Sequence, residues 1–190
     1  MNRLCLLLAV AVTASSGSPT IRDIDGRIRA PFAPARHASL VFFVSSDCPI
    51  SNSYAPEIAA ICARYAAKGI DCLLLYEDAR ITRSAARDHR KAYALGGLAA
   101  AIDAERTMAA AAGATITPEA AVIDRQGKVR YRGRIDDVYV ALGRRRPAPT
   151  SRDLRDAVDA VLSSRAIARA RTEATGCYIA PPWKDGKDRE

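Results

Sequence analysis

The stretch "VFFVSSDCPISNSYAPE", Val41–Glu57, decides how the rest of the chain is read. Its first residues belong to "SLVFFVS" from Ser39, which is β-branched and aromatic without polar alternation, the pattern of a strand covered on both faces. Beyond Asp47-Cys48-Pro49 the period changes. Ile50, Tyr54, Ile58, Ile61, Cys62 and Tyr65 recur at helical spacing until Gly69. A cysteine therefore stands where a buried strand hands over to a helix. Pro49 suits the first helical position, because its missing N–H costs nothing there. The unpaired N–H groups and the positive end of the helix dipole face the sulfur and favour thiolate, the nucleophilic form. Cys48 is thus the candidate nucleophile, against the alternative of a structural cysteine.

Working outward, "IDCLLLYED" from Ile70 reads as a second buried strand, and Thr82–Leu95 as a polar-rich helix with Ile81, Ala85, His89 and Ala92 along one side. Gly97–Asp103 reads as a short strand, followed by an alanine-rich helix from Ala104 to Ala112 that Gly113 stops. "EAAVIDRQGKVRYRGRID" reads as a hairpin. Val129, Tyr131, Gly133 and Ile135 alternate with Arg130, Arg132 and Arg134, so one face of the returning strand is buried and one is wet. The proline-rich "RRRPAPTS" leads into a last helix, where Thr150 and Asp153 have capping-box spacing and Leu154, Val158, Val161 and Leu162 form the inner stripe. The order β-α-β-α, a short helix, a β-hairpin and a final α implies an α/β fold. Its central mixed sheet is flanked by helices, with right-handed crossovers in the parallel part.

Three features give the chain a resemblance to the thioredoxin-fold superfamily, within it the redoxin, AhpC/TSA or peroxiredoxin-like branch. They are Cys48-Pro49-Ile50-Ser51 at the strand–helix joint, Pro56 eight residues after the cysteine, and Thr117-Pro118 ahead of a strand in "ATITPEAAVID". The continuation "IDRQGKVRYRGRID" also resembles the closing hairpin of such domains, and the resemblance spans about Ser39 to Leu162. The resemblance implies a three-layer thioredoxin-like α/β/α fold with Thr117-Pro118 as a cis-proline loop beside Cys48, offering backbone hydrogen bonds to an incoming peptide or disulfide. It implies Pro49 and Ser51 as part of the substrate-facing turn. It further implies a thiol-dependent oxidoreductase without cofactor or metal, acting on a peroxide or a protein disulfide and recharged by an external thiol reductant.

Departures from the family pattern narrow this. Ser51 stands where thioredoxins carry the second cysteine of Cys-x-x-Cys, so a local dithiol cycle is impossible. In the peroxiredoxin pattern Pro-x-x-x-Thr-x-x-Cys, Ser45 takes the threonine place and Val41 the proline place. Arg134 and Arg132 are candidates for the arginine that polarises peroxide. Resolution of an oxidised Cys48 needs a second, accessible sulfur. The resemblance to two-cysteine peroxiredoxins suggests Cys177 in the tail, which stays open between resolving thiol, structural bridge and free cysteine.

The ends and the composition bound the setting. "MNRLCLLLAVAVTASSGS" has Arg3, an apolar run Leu4–Val12 and small residues after it, the layout of a secretory signal over residues 1–16. The expectation is an exported, periplasmic or secreted protein with one redoxin domain over residues 20–168 and a tail over 169–190. No later apolar run approaches the roughly 20 residues of a membrane span. The 190 residues are 49% hydrophobic and 26% charged, ordinary for a globular chain. Five cysteines become four without Cys5, with connectivity open. Cys62, on the apolar stripe, and Cys72, in a buried strand, read as small core hydrophobes. His37 and His89 read as a loop residue and a helix-surface residue.

The net charge of +8 concentrates at Lys128–Arg134, Gly143–Pro147 and Arg165–Arg171. Without aromatic platform, zinc spacing or recognition helix it reads as a solvated face, and nucleic acid is not an expected partner. Two other functions stay in view on the same fold: a copper-handling module, which lacks its second cysteine here, and a catalytically silent adaptor using the basic face and the Trp183 tail.

Overall fold

The computed structural model describes residues 17–78 and 80–182; the segment read as an export signal, and Trp183, lie outside them. A short antiparallel hairpin, β1 (Ile21–Arg22) and β2 (Ile28–Arg29), precedes the main body. Then come β3 (Ser39–Val44), α1 (Pro49–Ala66), β4 (Asp71–Tyr76), α2 (Arg83–Ala92), β5 (Ala99–Ile102) and α3 (Thr107–Ala112). The chain continues through β6 (Ile116–Thr117), β7 (Glu119–Ile123), β8 (Val129–Gly133), β9 (Tyr139–Ala141) and β10 (Arg144–Arg145), and ends with α4 (Asp153–Leu162) and β11 (Cys177–Tyr178).

The central sheet has the order β5-β4-β3-β7-β8, with β3, β4 and β5 parallel and β7 and β8 antiparallel. This is the expected thioredoxin-like mixed sheet. Leu40, Phe42, Val44, Leu74, Tyr76 and Val122 share one core with α1 and α4; Val41, Phe43, Leu73, Leu75, Ala121 and Ile123 share the other with Met108, Ala109 and Ala112 of α3. Burial on both faces removes any reason for polar alternation, which is why β3 and β4 read as continuous apolar runs.

Several expectations need correction. Cys62 and Cys72 are not merely core hydrophobes: they form a disulfide across the α1–β4 packing, with Cα atoms 5.9 Å apart. Helix α1 lies against the strand that follows it, so two apolar-facing cysteines ten residues apart meet there. Thr150 does not cap α4, which begins at Asp153 with Arg152 as its N-cap; Thr150 instead donates its backbone N–H and its hydroxyl to Asp137. His89 is half-buried rather than a surface residue, and Ala86 is the fully enclosed residue of α2.

The tail is seated on the domain. Arg132 N donates to Ala170 O at 3.1 Å and Thr172 N to Arg132 O at 3.2 Å, laying the tail along the outer edge of β8. Thr172 Oγ1 also shares a 2.7 Å hydrogen bond with the Tyr131 hydroxyl. Gly133, at φ +150°, makes room for this, since a Cβ there would lie 2.1 Å from Thr172 Oγ1.

Candidate active site at the β3–α1 joint

Strand β3 ends at Val44, and a four-residue turn carries the chain to Pro49 at the start of α1, with Cys48 as N-cap in extended conformation. No side chain caps this helix, so its first N–H groups face the sulfur. The turn is held from β4. Just past that strand, Asp78 accepts the Ser45 hydroxyl at 2.5 Å on one oxygen and the Ser46 N–H at 2.9 Å on the other. On the far side, Asn52 Nδ2 donates to Ser46 O at 2.9 Å. Asn52 Oδ1 in turn takes His89 Nε2 at 2.9 Å, and the Tyr76 hydroxyl lies 3.0 Å from His89 Nδ1. Burial lowers the His89 pKa and so favours its neutral ring.

The Thr117–Pro118 peptide is cis, as the resemblance implied, and brings Thr117 O to 3.2 Å from Cys48 Sγ. Tail strand β11 pairs antiparallel with β6, with Cys177 opposite Thr117 and Tyr178 opposite Ile116. Thr117 Oγ1 donates to Cys177 O at 3.3 Å, and Ile179 N donates to Thr115 O at 2.9 Å. This pairing sets Cys177 Sγ 2.6 Å from Cys48 Sγ, inside van der Waals contact and just beyond the ~2.05 Å of a bonded pair. Cys48 is 1% exposed, covered by the tail, while Cys177 keeps partial exposure.

Burial opposes ionisation of Cys48, but the hydrogen bond from Cys177 and those from the Ser51 N–H, the Ser51 hydroxyl and the Ile50 N–H outweigh it, holding this thiol below its ordinary pKa. Cys177 is pushed the other way, to about 11, by burial and then by Cys48. The pair is therefore polarised: of the two thiols, Cys48 gives up its proton more readily and Cys177 holds its own.

The structure thus gathers Cys48, Pro49, Ser51, Thr117, Pro118 and Cys177. Ser45 supports the turn: its hydroxyl is directed to Asp78, not to the sulfur. Arg134 is directed away, with Nε donating to Asp153 Oδ2 at 2.8 Å, and Arg132 pairs with Glu119 at 2.6 Å. Of the basic clusters, Arg130 and Arg165 line a cavity of about 580 Å³ together with Arg36, Lys68 and Arg125, near the opposite end of β3.

Sequence reasoning missed Asp78, Asn52, Gly176 and Arg106. Asp78 was findable, since the residues just past two parallel neighbours come out on the same rim. Arg106 was not, being fixed by tertiary packing. Its Nε donates to Ala180 O at 2.8 Å and its Nη1 to Asp103 O at 2.7 Å. Beside it, Glu77 is 3.7 Å away, with neither carboxylate oxygen hydrogen-bonded. Burial, reinforced by Asp103, outweighs the pull of Arg106 and pushes Glu77 up to about 9.

Among the described residues, no group of three His, Cys, Asp or Glu is placed to hold a metal, and no helix is long and apolar enough to cross a membrane.

Solved structures with this fold include a hypothetical protein from Sinorhizobium meliloti, 27% identical, TM-score 0.73, matched over 94% of this chain and 98% of that one. An uncharacterized conserved protein from Geobacillus kaustophilus is 20% identical, TM-score 0.73, over 90% and 92%. A secreted Mycobacterium tuberculosis disulfide oxidoreductase homologous to E. coli DsbE is 14% identical, TM-score 0.53, over 77% and 96%. No curated protein matches. The family model described as Redoxin aligns with residues 33–139, from before β3 to the start of β9 and thus across the Cys48 turn and the cis-proline loop; covering more than half of the sequence, it places this chain in the Redoxin family.

Proposed function

We propose that this chain is an exported thiol-dependent oxidoreductase working through a reversible Cys48–Cys177 disulfide. The observation that carries the reading is the 2.6 Å approach of the two sulfurs beside the Thr117–Pro118 loop. The Cys48 thiolate attacks one sulfur of a substrate disulfide, and the other sulfur leaves with the bonding electrons. Cys177, losing its proton, then attacks Cys48 Sγ and expels the bound substrate as a thiolate. The chain is oxidised by two electrons and the substrate disulfide reduced by two; an external thiol reverses the change. Membership of the Redoxin family and the fold shared with a disulfide oxidoreductase support this class of chemistry.

Disulfide exchange is favoured over peroxide reduction because Ser45 and Arg134, the residues that would hold a peroxide, face Asp78 and Asp153. Export fits two cysteine pairs at or near bonding distance, which persist in oxidising compartments. The test is peptide mass mapping after one equivalent of oxidised glutathione. A Cys48–Cys177 disulfide is expected; a Cys48 that stays reduced, or stops at the glutathione adduct, overturns the reading.

A further inference from the structure

The tail covers Cys48 by taking the free edge of β6. Residues 177–179 are joined to it by strand pairing, the Thr117 hydroxyl and the Ile179 N–H bond. What this edge selects can be read from how the tail fits. Gly176, the residue before the cysteine, has no space for a side chain: a Cβ there would lie 2.0 Å from Thr117 O, 2.7 Å from Thr117 C and 2.9 Å from Ile116 Cγ2. Two of these three atoms are backbone, next to the loop that positions Cys48, so they cannot swing aside. One residue after the cysteine, Tyr178 is 86% exposed and meets no such limit. The next, Ile179, packs on the core shared by β3, β4 and α3, and the carbonyl after it accepts from Arg106.

We propose that the partner of this site is an extended protein segment of the pattern glycine–cysteine–any–apolar, and that it enters by displacing residues 176–180 from β6. This rests on the Cys48–Cys177 cycle proposed above. The tail is a tethered copy of the segment the site accepts. A partner and the tail cannot hold the edge together, so the return of the tail both supplies the second thiol and expels the reduced partner. Exchange on one edge thus couples release to chemistry.

The test uses the full chain and synthetic peptides whose cysteine is blocked as a mixed disulfide with the coloured thiol 5-thio-2-nitrobenzoate. The Cys48 thiolate attacks the peptide sulfur and the aromatic thiolate leaves with the electron pair. Cys177 then attacks Cys48 Sγ and frees the peptide thiol. Peptides carrying Gly-Cys-Tyr-Ile are expected to release colour at least about tenfold faster than Ala-Cys-Tyr-Ile or Val-Cys-Tyr-Ile, the ratio that 1.4 kcal/mol of discrimination produces. Equal rates overturn the inference.

In the companion variant Gly176→Ala, the added methyl lifts β11, and alkylation of Cys48 by iodoacetamide is expected to rise about tenfold, whereas an unchanged rate counts against displacement. Oxidised glutathione separates the two proposals. If it closes Cys48–Cys177 while the peptides show no preference, only this inference falls. If nothing closes that disulfide, the cycle falls and takes the inference with it.

Discussion

Thr117 and Cys177 face each other as antiparallel partners, with the Thr117 hydroxyl on the Cys177 carbonyl and the Thr117 carbonyl on Cys48. One residue of the cis-proline loop therefore contacts both cysteines, accepting from the Cys48 thiol and seating the Cys177 backbone. The polarity of the pair follows from what else each sulfur meets. Cys48 faces helix N–H groups and the Cys177 thiol, whereas Cys177 meets burial and the Cys48 sulfur, both of which oppose its ionisation.

Removing Cys177 therefore reaches Cys48. In Cys177→Ala the largest of the influences that lower the Cys48 pKa is lost. The pH at which Cys48 alkylation reaches half its maximum is expected to move upward, and no intramolecular disulfide forms on oxidation. Following iodoacetamide trapping by mass spectrometry across pH 5–10 measures both; an inflection that stays put would mean the helix terminus alone sets the thiolate.

Asp78 acts on Cys48 only through the turn. Asp78→Ala leaves the Ser45 hydroxyl and the Ser46 N–H without their shared acceptor, at a cost of roughly 1–3 kcal/mol. The turn loosens, and slower disulfide exchange with a pH profile close to that of the unmodified chain is the expected signature. Asp78→Asn, which keeps one carbonyl acceptor, should recover part of the rate.

The Cys62–Cys72 bridge lies away from the tail and joins α1 to β4. Replacing both cysteines with alanine is expected to lower stability by about 2–4 kcal/mol, read as an earlier denaturant midpoint. The Cys48–Cys177 disulfide should still form in the folded variant.

Glu77 makes stability fall as pH rises. Its carboxyl titrates near 4.5 when unfolded and about 9 when folded, so the folded state retains a proton that the unfolded state gives up between those values. Glu77→Gln keeps the neutral form throughout. Denaturant unfolding at pH 5 and pH 8 should show a smaller decline in the variant, with a gain on the order of a few kcal/mol at pH 8. Identical declines would refute the assignment.

Local patterning along the chain already specified the sheet, the helices and the Cys48 joint. Continuous apolar runs, the 3.6-residue period from Ile50 to Tyr65 and Pro49 are short-range signals whose physics acts within a few neighbours. Thr117-Pro118 was equally legible as a loop. The partners of Cys48 were not. Cys177 lies 129 residues away, and its seat depends on the tail first following β8 through Thr172 and Gly133. Cys62 and Cys72 each carried a core signal that is true, and their bond appears only once α1 lies on β4. Ser45 took the place of a family threonine and Arg134 was a candidate for the family's arginine, yet Asp78 and Asp153 draw them elsewhere, because carboxylates placed by packing outweigh a motif match. Backbone conformation and burial are written in neighbouring residues; which groups share a site is settled by contacts between distant segments, and these exist only after the chain has closed.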